Sequence, residues 1–209
     1  VREVKPAHCG YYMQGSLHLH PYWELHAAVH TDSFAETAAH VRELLTDAVR
    51  RQLVSDVPIG TFLSGGLDSS LLSSLSSQVL RERGETLHTF SVDYRDNDRY
   101  FQKSHFQPTS DPAYIRAMER YLGCQHHWTV LDTPALAEAL YAAVDARDLP
   151  GMVDVDSSLL LFCGEIRKEV TVALSGECAD ELFGGYPWYR DADVRRVNGF
   201  PWAQSTAYR

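Results

Sequence analysis

From residue 33 onward, short apolar runs of strand length alternate with amphipathic stretches of helix length, and this alternation narrows the fold more than any other feature of the chain. Ser33 opens a helical pattern in which Phe34, Ala38, Val41, Leu45, Ala48 and Leu53 recur at helical spacing. Glu36, three residues after Ser33, completes a capping box. Downstream, the pattern predicts a strand over Thr61–Leu63, a helix from Asp68 to about Leu80, a strand over Thr86–Val92 and a helix over Pro112–Leu122. A strand over His127–Leu131, helices over Pro134–Val144 and Ser157 to about Lys168, and a strand over Val170–Leu174 follow. Strands separated by helices need crossover connections, so the expected fold is α/β, a parallel sheet with helices on both faces. Ligands of such sheets bind beyond the carboxyl ends of the strands.

The first 30 or so residues are different. Tyr11, Tyr12, Trp23 and the histidines His8, His18, His20, His26 and His30 are broken by Gly and Pro, which suits hairpins or extended packing. His18 and His20 alternate with Leu17 and Leu19 and read as one face of a strand. With no acidic or Cys partner at ligand spacing, a metal pair is the weaker reading. The opening segment VREVKPAHCGYY is extended in character and the closing segment VNGFPWAQSTAYR loop-like, as expected of a piece cut from a longer chain.

Composition excludes several classes. Of 209 residues, 19 are Lys or Arg and 28 are Asp or Glu, a formal charge of -9 with no basic run, which disfavours nucleic acid as a partner. Cys9, Cys124, Cys163 and Cys178 form no C-x-x-C pair, so they read as reduced thiols. No apolar stretch approaches the roughly 20 residues of a membrane span, and no basic-then-apolar leader opens the chain; a soluble, cytoplasmic protein is expected.

The most informative segment runs from Gly60 to Ser70, GTFLSGGLDSS. After the strand, Gly65 and Gly66 let the backbone turn sharply and bring bare N–H groups toward a ligand. A helix N-terminus then adds its positive dipole end, and Ser64, Ser69 and Ser70 add hydroxyl donors. Such a loop cradles a phosphate or pyrophosphate without a lysine, and neither the Walker loop nor the dinucleotide glycine pattern is present. Asp68 would be repelled by phosphates unless a divalent cation lay between them, so it is a candidate Mg2+ ligand. The plainer alternative is a turn followed by an ordinary Asp68 N-cap. In a second segment, Ser175 and Gly176 again end a buried apolar strand, and Glu177, Asp180 and Glu181 add acids at the same sheet edge. Taken alone, those acids also fit a solvated helix start.

The string Leu63-Ser-Gly-Gly-Leu-Asp-Ser-Ser70 resembles the pyrophosphate loop of the N-type ATP pyrophosphatases, which have a Rossmann-like, adenine nucleotide alpha hydrolase-like fold. ALSGECADELFGGY, residues 173–186, resembles the S-G-E-x-[AS]-D-E-[LIV]-F-G-G-Y segment of glutamine-dependent asparagine synthetases. The resemblance implies that Leu63, Val92, Ser175 and Gly176 hold the adenosine of ATP. It makes Ser64, Gly65, Gly66, Leu67, Asp68, Ser69 and Ser70 the pyrophosphate cradle. Asp68 and Asp180 would accompany Mg2+, and Glu177 would act beside the reacting carboxylate and ammonia.

The reaction so implied is ATP-dependent amidation of aspartate through β-aspartyl-AMP, with AMP and pyrophosphate as products and nitrogen from glutamine or ammonia. A homodimer is compatible with it. Residues 1–30 would then be a linker after a glutaminase domain, and residues 31–209 an ATP-pyrophosphatase domain truncated at its C-terminus. Two rivals stand beside this reading: a β-lactam synthetase, whose family tends to carry tyrosine where this chain has Glu177, and an ATP-binding module without turnover. Cys178 stands where the family most often has glycine.

Overall fold

The computed structural model describes residues 3–102, 109–196 and 199. The loop-like reading of residues 197–209 therefore lies outside the described residues except at Gly199. The chain divides into two compact units, Val1–Glu43 and Leu44–Arg209.

In the first unit, β1 (His8–Met13) and β2 (Ser16–Pro21) form an antiparallel hairpin, with Gln14 and Gly15 both at positive φ in its turn. The register sets His18 opposite Tyr11, where the rings stack at 5.0 Å. It also sets Cys9 opposite His20, with Sγ 3.1 Å from Nε2, so a Cys partner that spacing did not reveal stands across the hairpin. The capping box forms: the Ser33 N–H and hydroxyl both donate to the Glu36 carboxylate, at 2.8 and 2.6 Å. Helix α1 (Phe34–Gln52) starts there and ends in the second unit. Its apolar stripe is not packed along its whole length, since Phe34 is exposed while Val49 and Leu53, one turn later, are buried.

The second unit is built on four parallel strands, β3 (Ile59–Phe62), β4 (His88–Tyr94), β5 (Gln125–Leu131) and β6 (Val172–Leu174), in the order β5-β4-β3-β6. The connecting helices are α2 (Leu67–Glu82), a single turn α3 (Asn97–Tyr100), α4 (Pro112–Leu122), α5 (Thr133–Glu138), α6 (Leu140–Arg147) and α7 (Val153–Ile166). A short α8 (Ala179–Phe183) follows β6. The predicted helix over Pro134–Val144 is two helices meeting at Ala139. Backbone bonds still span the junction, from Ala139 to Ala135 and from Ala143 to Ala139. The last strand is shorter than predicted because Val170 is spent in the core below it, where its N–H still closes onto the end of α7.

Residue alternation along the strands assigns the two faces. Phe90 is buried against Phe162, Ile166 and Val170, with Phe62, Val92 and Ala173 around them, so α7 covers one face. On the other, Val49, Leu53 and Val79 pack with Leu72 and Leu75 of α2 over Ile59 and Leu174. The serines of α2 allow a close approach there, and the Ser73 hydroxyl meets that of Thr61 at 2.8 Å with both residues fully buried. The chain steps outward from β3 through β4 to β5, then returns with β6 on the opposite side of β3. The carboxyl ends of β3 and β6 thus flank the point where the winding reverses, the place where open α/β sheets bind ligands.

Candidate active site

The two sequence motifs leave the sheet from these adjacent strand ends. Leu63 still pairs, its N–H donating to the Phe90 carbonyl at 2.9 Å while its own carbonyl accepts from the Ser91 hydroxyl. Gly65 makes the turn at a φ of +79°, and a Cβ there would lie 2.8 Å from that of Tyr114. Only glycine fits both demands. Gly66 then begins α2 with no side-chain hydrogen bond capping the helix. Because the helix's first backbone bond runs from Ser70 to Gly66 at 3.0 Å, the N–H groups of Leu67, Asp68 and Ser69 are the ones a helix start leaves without intrahelical partners. The ordinary N-cap reading of Asp68 therefore does not describe this turn.

The serine hydroxyls organise the loop. Ser69, buried, accepts from the Ser64 N–H at 3.1 Å and meets the Ser64 hydroxyl at 2.9 Å, which ties the glycine turn to the first turn of α2. The second motif docks against this turn. A Cβ on Gly176 would sit 3.1 Å from both the Asp68 carbonyl carbon and the Ser69 nitrogen, so the two loops touch through a position that tolerates little more than hydrogen. Glu177 donates its N–H to the Ser175 hydroxyl at 3.2 Å. Cys178 then adopts the left-handed conformation, φ +69° and ψ +2°, as it leads into α8. A side chain is strained there, which accounts physically for glycine being favoured at such a position.

Between the motifs lies a cleft of about 500 Å³. Ser64, Gly66, Asp68 and Ser69 line it from one side and Ser175, Gly176, Glu177 and Asp180 from the other. Gly65, Leu67 and Ser70 do not line it, and neither does Leu63, whose side chain is buried. Val92 instead lines a neighbouring cleft of about 490 Å³, which shares Phe62 and Glu177 with the first, so Glu177 stands where the two meet. Phe62, Cys178, Ala179 and Tyr186, none of them a candidate site residue on the sequence alone, also line the cleft. The Tyr186 hydroxyl donates to Glu181 at 3.1 Å, and the FGGY run was the one available signal for it.

The lining is acidic, with no Lys or Arg among the described residues that form it. Burial first, and the neighbouring Asp180 carboxylate second, raise the Asp68 carboxyl above its ordinary range. Two carboxylates that repel one another beside an uncapped helix N-terminus suit a polyanion bridged by a divalent cation better than either alone.

Fold and cleft together define an open parallel α/β protein with its binding crevice at the strand-order reversal. Within that class, the chain belongs to the asparagine synthase family, whose profile matches residues 40–209. It is 51% identical over 210 residues to asparagine synthetase [glutamine-hydrolyzing] 3 of Bacillus subtilis, covering all of this chain and 34% of that protein. It is 36% identical over 151 residues to asparagine synthetase [glutamine-hydrolyzing] 1 of the same organism, covering 72% of this chain and 22% of that protein. The chain thus spans about a third or less of these relatives. Among solved structures, NAD+ synthetase from Burkholderia pseudomallei aligns over 74% of this chain and 67% of that one, with a TM-score of 0.39 and 16% identity, too remote to carry further weight.

Proposed function

We propose that residues 31–209 of this chain form an ATP-pyrophosphatase domain that supplies the nucleotide site of an asparagine synthetase. The observation that carries this reading is the contact of Gly176 with the first turn of α2, which gathers Asp68, Asp180 and an uncapped helix start around one cleft. In this reading the aspartate side-chain carboxylate attacks the α-phosphorus of ATP, pyrophosphate leaves, and ammonia, free or from glutamine, displaces AMP from β-aspartyl-AMP to give asparagine.

Attack by an anion on a polyanion is repulsive, so the protein's work is to position groups and spread charge. The N–H groups of Leu67, Asp68 and Ser69 hold the leaving pyrophosphate, and the bonds between Ser64 and Ser69 keep that turn rigid. Ser175 and Gly176 bear on the adenosine, with Leu63 and Val92 supporting its seat. Asp68 and Asp180 would hold Mg2+, which when bound offsets phosphate charge. Glu177, at the junction of the two clefts, is placed to take a proton from the attacking ammonia or to orient it.

The test uses the full-length protein. Pyrophosphate release should require ATP, aspartate and ammonium together, and Asp68→Asn should lower it by about 100-fold or more. Release driven by a β-amino acid analogue instead of aspartate would transfer the chain to the lactam-forming branch. Unchanged release in the variant would overturn the cation-and-cradle account. The 209-residue chain, assayed alongside, should bind ATP whether or not it turns over.

A further inference from the structure

At the opposite, amino end of the sheet, three side chains from three separate elements converge. His88 is the first residue of β4 and His127 the third of β5, while Glu169 lies in the turn that leads from α7 toward β6. The register pairs His88 with Gln125 and Phe90 with His127, so the two imidazoles are diagonal neighbours on the α7 face of the sheet. The Phe90 ring lies against His127, with centroids 4.9 Å apart and planes within 17°, which holds that imidazole in place. The Glu169 N–H donates to Ile166 at 3.0 Å, which anchors the turn carrying the carboxylate. One ligand atom from each of the three residues lies within 4.8 Å of the other two.

We infer that His88, His127 and Glu169 form a site for a borderline transition-metal ion, with Zn2+ as the fitting example, separate from the nucleotide cleft. The donor set decides the chemistry. Two imidazoles and one carboxylate suit zinc and its neighbours, whereas Mg2+ prefers an all-oxygen shell, so the acids of the cleft and this triad select different ions. The distances also fit. Two nitrogens at about 2.0–2.1 Å from a tetrahedral zinc ion stand about 3.3 Å apart. Nδ1 of His88 and Nε2 of His127 are 3.0 Å apart, with ring centroids 5.2 Å apart and planes within 10°. A few tenths of an ångström of opening, a tilt that turns both nitrogens toward a common point and an inward swing of the Glu169 carboxylate admit the ion.

At present those nitrogens share a proton. On metal binding it passes to the far nitrogen of its own ring, which leaves two neutral imidazoles as ligands with no net proton lost. An ion here would join β4, β5 and the α7–β6 turn, clamping the sheet at the end remote from the cleft. Water would complete its shell.

The test is a titration of the full chain with Zn2+ against a chromophoric chelator, repeated with Glu169→Gln, His88→Gln, Asp68→Asn and Cys9→Ser. Glu169 is exposed, so its variant should fold even if the His88 variant does not. Glu169→Gln should weaken the tight site by about tenfold or more, while Asp68→Asn and Cys9→Ser leave it unchanged. At a hundredfold excess over Kd, Zn2+ should raise Tm by about 5–10 °C in the unsubstituted chain and by much less in Glu169→Gln. Mg2+ should do neither. Wild-type affinity in Glu169→Gln, or loss of the tight site only in the Cys9 or Asp68 variant, would place the ion elsewhere and end the proposal.

Discussion

Asp68 and Gly176 show how much of this site depends on single residues. Asp68 sits in a turn where burial and Asp180 both penalise its charge, so the folded protein binds a proton there more tightly than the unfolded chain does. That sign means stability falls as pH rises from the ordinary aspartate value through the raised one, and it stays lowered at neutral pH. Asp68→Asn, which cannot ionise, should therefore raise the Tm of the ligand-free protein slightly at pH 7 while abolishing its stabilisation by MgATP. Calorimetric melts with and without nucleotide read both halves. A variant that lost ligand-free stability would contradict the assigned electrostatics. The exchange of stability for binding is typical of functional positions.

At the scale of elements, α1 starts with its own chemical signal. Hydrogen bonds from the Ser33 hydroxyl and backbone hold the Glu36 carboxyl below its ordinary range. Because the folded value is depressed, this cap contributes above the ordinary glutamate value, about 4.3, and is lost as pH falls through the depressed one. Circular dichroism across pH 2–6 should show α1 fraying on the acid side in the unsubstituted chain. Ser33→Ala, which keeps the backbone bond to Glu36 but lacks the hydroxyl one, should lose less over the same window. Helix α2 is the contrasting case. Its N-terminus carries no side-chain cap, which leaves its first N–H groups for a ligand and costs it the stability that α1 gains from Ser33.

At the scale of the molecule, the second unit depends on a sheet held between two small cores. Phe90 is 2% exposed in the layer under α7 and also supports His127. Phe90→Ala should cost about 3–5 kcal/mol by urea unfolding, since the rings and branched side chains around it can close the cavity only in part. A loss below about 1 kcal/mol would mean that α7 is not packed as described. Much of this architecture was legible from residue order: the alternation of elements, the capping box at Ser33, and both strand-to-helix motifs. Local signals carried these, because periodicity, glycine turns and capping residues act over a few neighbours. The extent of α1 that packs, the break at Ala139, the burial of Leu63 and the displacement of Val92 to a second cleft were not legible. Nor were Cys9 opposite His20, or His88 and His127 meeting Glu169. The last two depend on strand register and on the turn before β6, which bring together residues 11 to 81 positions apart. The chain's own order determined which residues could turn, cap and carry charge; the folded sheet decided which of them meet, because burial and close contact are properties of neighbours in space.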